Sequence, residues 1–240
     1  MVGFGDVSSR GTEMRAKSYA GNPYAAVFML LGIASAVGIA LVGARVARSH
    51  TSHYGFLVWN LILAWVPVVL AAVAYRVSFR RGAVGRLALV LTAVVWLLFF
   101  PNAPYIITDF VHLVDIHDHV PLWYDVILIA WYAWTGLLLG ILSLRLMQDI
   151  VQRGAGRVAG WSLVAAATVL GSIGIYIGRF LHWNSWQAFQ SPGTLAHRAF
   201  GGAGEPDVEV RFLGFSALFA ALFLFVYLAV YPLGAKGGRG

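Results

Sequence analysis

The stretch "RLALVLTAVVWLLFFPNAPYIITDFVH", Arg86–His112, decides the fold. Leu87 to Phe100 is an apolar run of 14 residues interrupted only by Thr92, about 21 Å at 1.5 Å per residue, which is short of a hydrocarbon core of about 30 Å. Residues 101–107 must complete the crossing, and they contain Pro101 and Pro104. Neither proline has an N–H, so the carbonyls of Leu97 and Phe100 lose their helical donors and the third helix is expected to break at Pro101–Pro104. Irregular backbone at membrane depth is tolerated where protein or a water-filled cavity backs it. Asn102 is placed to cap a short second helix opening near Pro104.

Outward from this stretch the composition agrees. Hydrophobic residues make up 60% of the 240 residues and charged residues 11%, a balance that excludes an ordinary soluble domain. Apolar runs near residues 24–44, 54–75, 87–107, 122–144, 160–181 and 212–233 each approach the roughly 20 residues of a crossing helix. The expected fold is all-α, a polytopic bundle of six transmembrane helices in one domain over residues 24–234, with polar tails at 1–23 and 235–240. The first run exceeds a signal-peptide core of about 7 to 15 residues and reads as an uncleaved span. There is no cysteine, so thiolate metal sites and disulfides are excluded.

Lysine and arginine collect in short cytoplasmic segments. With the N-terminus inside, twelve of the 17 basic residues fall on the inner side, leaving Arg45, Arg48, Arg179, Arg198 and Arg211 outside. Both termini are therefore expected in the cytoplasm, the protein in the plasma membrane, and membrane lipids as its neighbours. The net charge of +7 reads as this inner bias, with no nucleic-acid partner needed. The same topology puts all seven histidines and seven of the ten acids outside. Glu205, Asp207, Glu209, His50, His53 and the "DIHDH" loop with His117 and His119 read as solvated loop residues.

Asp109 does not fit that reading. Tyr105, Thr108, Asp109 and His112 recur at i, i+3, i+4 and i+7, one helix face, among Ile106, Ile107, Phe110 and Val111. A carboxylate at the hydrocarbon boundary demands a partner and often marks function. Asn60 near the start of the second span, Asp125 in the first turn of the fourth, and Arg179, Asn184 and Ser185 at the end of the fifth lie at matching depth. Asp109, His112 and Asp125 are the candidate catalytic groups. Asn60, Asn102, Tyr105, Thr108, Arg179, Asn184 and Ser185 are the candidate binding groups. Asp109 and His112 are the candidate metal ligands, although no metal or cofactor is specified by the sequence. G-x-x-x-G pairs at Gly136/Gly140 and Gly174/Gly178 predict close helix packing.

The combination P-N-A-P-Y-x-x-T-D-x-x-H from Pro101, W-Y-D at Trp123–Asp125 and R-x-x-x-W-N-S-W at Arg179–Trp186 resembles a bacterial membrane family known as domain of unknown function 1361. The likeness spans roughly residues 60–187. It implies a multi-pass membrane protein and brings no activity, substrate or cofactor with it. The family pattern carries an acid after the second tryptophan, where this chain has Gln187.

Three function classes fit these readings. One is an enzyme at the outer leaflet acting on a lipid or envelope precursor, with Asp109 or His112 as general base and Arg179 and Asn102 holding an anionic group. Another is a small-solute or ion transporter or channel-like protein, which the scarcity of ionisable residues in the inner half of the spans disfavours. The third is a non-catalytic assembly subunit. Oligomeric state is not encoded in any pattern found.

Overall fold

The computed structural model describes residues 23–80, 82–115, 120–180 and 206–235, and every described element is helical. In chain order they are α1 (Pro23–Ser49), α2 (Gly55–Val77), α3 (Ala83–Phe99), the single turn α4 (Asn102–Tyr105), a 3-10 helix (Ile106–Asp115), α5 (Leu122–Phe180) and α6 (Pro206–Ala235). Five of the helical stretches are long and apolar enough to cross a membrane. Their outward faces carry Met29, Leu30, Ile33, Val90, Leu91, Val94, Leu218 and Phe225, all exposed. An exterior this apolar is stable against lipid and not against water. This is a multi-pass membrane protein.

The longest helix, α5, cannot be one straight rod in a bilayer: at 1.5 Å per residue its 59 residues would reach about 88 Å. Gly156 turns it. Its φ of 90° and ψ of 171° are closed to residues with a side chain, and they fold α5 into two arms. Both arms lie against the same short segment. A Cβ on Gly136 in the first arm would sit 2.6 Å from the Ala103 carbonyl oxygen, and one on Gly174 in the second would sit 2.8 Å from Pro101 Cγ. The missing side chains let the arms clasp residues 101–106 from two sides, so the glycines expected to give tight packing give it to the Pro101–Pro104 turn.

At that turn the chain keeps right-handed helical dihedrals, with φ/ψ of −52°/−42° at Phe100, −57°/−27° at Pro101 and −57°/−24° at Ile106. What changes is the hydrogen bonding. The α pattern ends at Phe99, and Ala103 N–H reaches Phe100 O at 3.3 Å in a tighter step. Asn102 does not cap the following turn: its Nδ2 donates back to Phe99 O at 3.0 Å. That bond satisfies a carbonyl at the α3 C-terminus, the end where helices leave acceptors unpaired. Pro67 is buried inside an α2 that continues through it.

The core joins α2 to both arms of α5 and to α6 through Leu57, Leu61, Ala64, Val68, Phe100, Ile106, Leu139, Leu144, Val164, Ala167 and Phe223. Polar side chains in the middle layer bond locally. Thr135, Ser143, Thr168 and Ser172 each donate to a carbonyl three or four residues back on their own helix.

Candidate functional site

A run of 3-10 helix as long as Ile106–Asp115 is uncommon, and it changes which residues align. At three residues per turn, Asp109 and His112 share one ridge, and Tyr105 and Thr108 share the next. The one-face stripe expected of an α-helix becomes two adjacent ridges, both carrying the expected polar groups.

Asp109 is fully buried, and both of its oxygens are engaged. Asn60 Nδ2 of α2 donates to Oδ2 at 2.8 Å. Arg179 Nη1, at the end of the second arm of α5, donates to Oδ1 at 3.3 Å. The same guanidinium donates to Tyr105 Oη at 3.3 Å and to the Thr108 carbonyl at 3.0 Å, and it lies 5.7 Å from the Tyr105 ring centroid. Thr108 contributes its backbone here, while its hydroxyl donates to Tyr105 O. Asn60, Tyr105, Thr108, Asp109 and Arg179 thus meet at one centre. The Arg179 side chain keeps 16% of its surface open against 1% for Asp109, so the arginine forms the accessible side of the pair.

Asp125 has a partner that the sequence reading did not assign. Arg45, near the end of α1, sends Nε to Asp125 Oδ1 at 2.7 Å and Nη2 to Oδ2 at 3.1 Å, a two-pronged contact with both side chains at 1% exposure or less. Arg45 was read only as one of the few basic residues on the outer side. An arginine inside an apolar helix is itself a sign that an acid waits opposite. Tyr54 ties the Arg45–Asp125 pair to the 3-10 helix that carries Asp109. The Arg45 guanidinium sits 4.3 Å over its ring, and its hydroxyl donates to the His112 carbonyl at 3.4 Å. The His112 ring packs on Phe56 at 4.7 Å between centroids. Asn184 and Ser185 lie outside the described residues, as do His117 and His119. Among the described residues no three His, Asp or Glu side chains gather as a metal ion would need, so Asp109 and His112 have no third ligand there.

The other end of the bundle corrects an expectation. The apolar run near residues 122–144 predicts a span that ends before Arg145, yet the first arm of α5 remains helical past Asp149. Arg145 Nε lies 3.7 Å from Asp149 Oδ1, the Tyr24 hydroxyl donates to Asp149 Oδ2, and Tyr227 Oη donates to Gln148 Oε1 at 2.5 Å. The half of the bundle near Gly156 is therefore not free of ionisable groups.

The family model described as "Protein of unknown function (DUF1361)" matches residues 59–232. The chain belongs to that family. In this DUF1361 member the matched region begins just before Asn60 and covers Asp109, Asp125 and Arg179, whereas Arg45 lies before it. No curated protein and no solved structure matches the chain.

Proposed function

We propose that this DUF1361 protein is a six-span enzyme of the plasma membrane with both termini in the cytoplasm, working at the outer leaflet on a lipid or envelope precursor. The two arms of α5 are the fourth and fifth spans, and the modified turn at Pro101–Pro104 divides the third. The inner bias of the basic residues supports this orientation, which makes the Asp109 end the outer one.

One observation carries the functional reading: a fully buried carboxylate is held by an arginine that remains partly open. An anionic group arriving at this end competes for Arg179. As the guanidinium turns toward it, Asp109 Oδ1 loses a donor while Asn60 still holds Oδ2. A carboxylate so released in a poorly solvated site is a stronger base than one in water, and it is adjacent to the group that Arg179 has captured. Arg179 then orients the substrate, Asp109 accepts its proton, and Tyr105 and Thr108 hold the arginine in the resting state.

A transporter is the second reading, favoured by the polar groups at the Gly156 end. The apolar middle layer, with Leu61, Ala64, Val68 and Phe223 between the two polar ends, argues against a continuous path. The test compares extracted lipids and envelope precursors by mass spectrometry, from cells carrying the native protein, Asp109→Asn or Arg179→Gln at equal membrane level. The enzyme reading expects a species that changes with the native chain alone. Identical profiles in all three would overturn it.

A further inference from the structure

Arg145, Gln148, Asp149, Gln152 and Arg153 recur at i, i+3, i+4, i+7 and i+8 on the first arm of α5, one face near the Gly156 turn. Aromatic rings wall this face. Arg145 lies 3.8 Å over Tyr231, and Arg153 lies 4.4 Å over Tyr75 and 5.0 Å over Phe79. Tyr75, Asp149, Gln152 and Arg153 line an open depression beside it, with a volume of about 250 Å³.

Three side-chain nitrogens of this face are buried with no hydrogen-bond partner: Arg145 Nη1, Gln148 Nε2 and Gln152 Nε2. Gln148 is wholly enclosed. A buried donor left unpaired costs about 1–3 kcal/mol, so three on one face form a recognisable unfilled demand. All three are N–H donors, and the face leaves no carboxylate oxygen to spare, because Asp149 is engaged by Tyr24 and Arg145. Two arginines against one aspartate leave the face positive. The missing component is an anion rich in acceptors.

We infer that the depression at this end of the bundle carries a binding site for a phosphate ester or diphosphate, held by Gln152 and Arg153 in its lining, with Arg145 and Gln148 deeper on the same helix face. The site is separate from the Asp109 centre and does not depend on the function proposed for it. Its ligand chemistry is shared by anionic phospholipid headgroups and by soluble diphosphates.

The experiment uses the purified full chain. Thermal unfolding in neutral detergent is compared in inorganic diphosphate and in chloride at equal ionic strength. A second arm compares nanodiscs containing phosphatidylglycerol with nanodiscs of phosphatidylcholine alone. At ten-fold excess over Kd the ligand should raise Tm by about 3 to 6 °C. A gain with diphosphate assigns a soluble ligand, and a gain with phosphatidylglycerol alone assigns a lipid headgroup. Gln148→Leu and Gln152→Leu keep every charge, so they separate this site from general attraction to basic residues. Gln152→Leu should abolish the gain while leaving the ligand-free Tm equal or higher, since it removes an unpaired donor, whereas Gln148→Leu also takes the acceptor from the buried Tyr227 hydroxyl and should lower that Tm. No gain in either arm, or a gain that Gln152→Leu keeps, would overturn the inference.

Discussion

Removing Arg45 alone should damage the protein far more than removing Arg45 and Asp125 together. Both side chains are at 1% exposure or less and are joined by two contacts, at 2.7 and 3.1 Å. In Arg45→Met the carboxylate of Asp125 stays buried without its counter-charge, a loss of about 3–5 kcal/mol. The stacking of Arg45 on Tyr54 goes as well, worth about 0.5–2 kcal/mol. At about 2–4 °C per kcal/mol for a chain of this size, Tm falls by about 7 to 28 °C. Asp125→Leu alone leaves a buried guanidinium and falls comparably. In the double variant no uncompensated charge remains, and an apolar pair of similar volume is close to neutral against the ion pair. The Tyr54 contact and the long Arg45 Nη1 bond to Thr51 Oγ1 at 3.5 Å are then missing, so Tm should return to within a few degrees of native. The assay is tryptophan fluorescence on heating in detergent, at one scan rate because unfolding of such proteins is often irreversible. Additive losses in the double variant, within about 0.5 kcal/mol of the sum, would refute the pairing.

Further outcomes follow from the same geometry. With no native cysteine to remove, Ser52→Cys between α1 and α2 should react with an impermeant maleimide from outside the cell, and labelling only from the cytoplasm would reverse the proposed topology. Gly136→Val would push side-chain carbon into the Ala103 carbonyl and should lower Tm by several degrees, whereas Gly43→Ala, which meets nothing within 4 Å, should leave Tm near native. Tyr54→Phe removes the hydroxyl on the His112 carbonyl but keeps the ring under Arg45, so a loss of about 1 kcal/mol is expected in the same melt.

How much of this was legible depended on the distance over which each signal acts. Asp109, Tyr105 and Thr108 lie within one short segment, and helical spacing alone puts them together. The matching depth of Asn60 and Arg179 was enough to add them. Arg45 was lost because it was counted for topology and never asked for a counter-charge, although Asp125 lay at the same level. Arg145 and Asp149 were lost because the fourth span was closed at a typical crossing length, while the helix runs on toward Gly156. Their i, i+4 spacing was the available hint. The 3-10 form of residues 106–115 had no visible signal, because no local residue preference separates it from an α-helix.

The most direct measurement on the central claim is Asp109→Asn, read for stability and for chemistry on the same preparation. Asparagine keeps the size and can still accept from Arg179, so the expected loss is modest, about 1–3 kcal/mol, and the protein should insert and purify. This folded variant is expected to lose the native protein's change in lipid or envelope-precursor profile. A variant that melts far below native, yet whose folded fraction still produces that change, would contradict it and make the Asp109–Arg179 pair a structural lock.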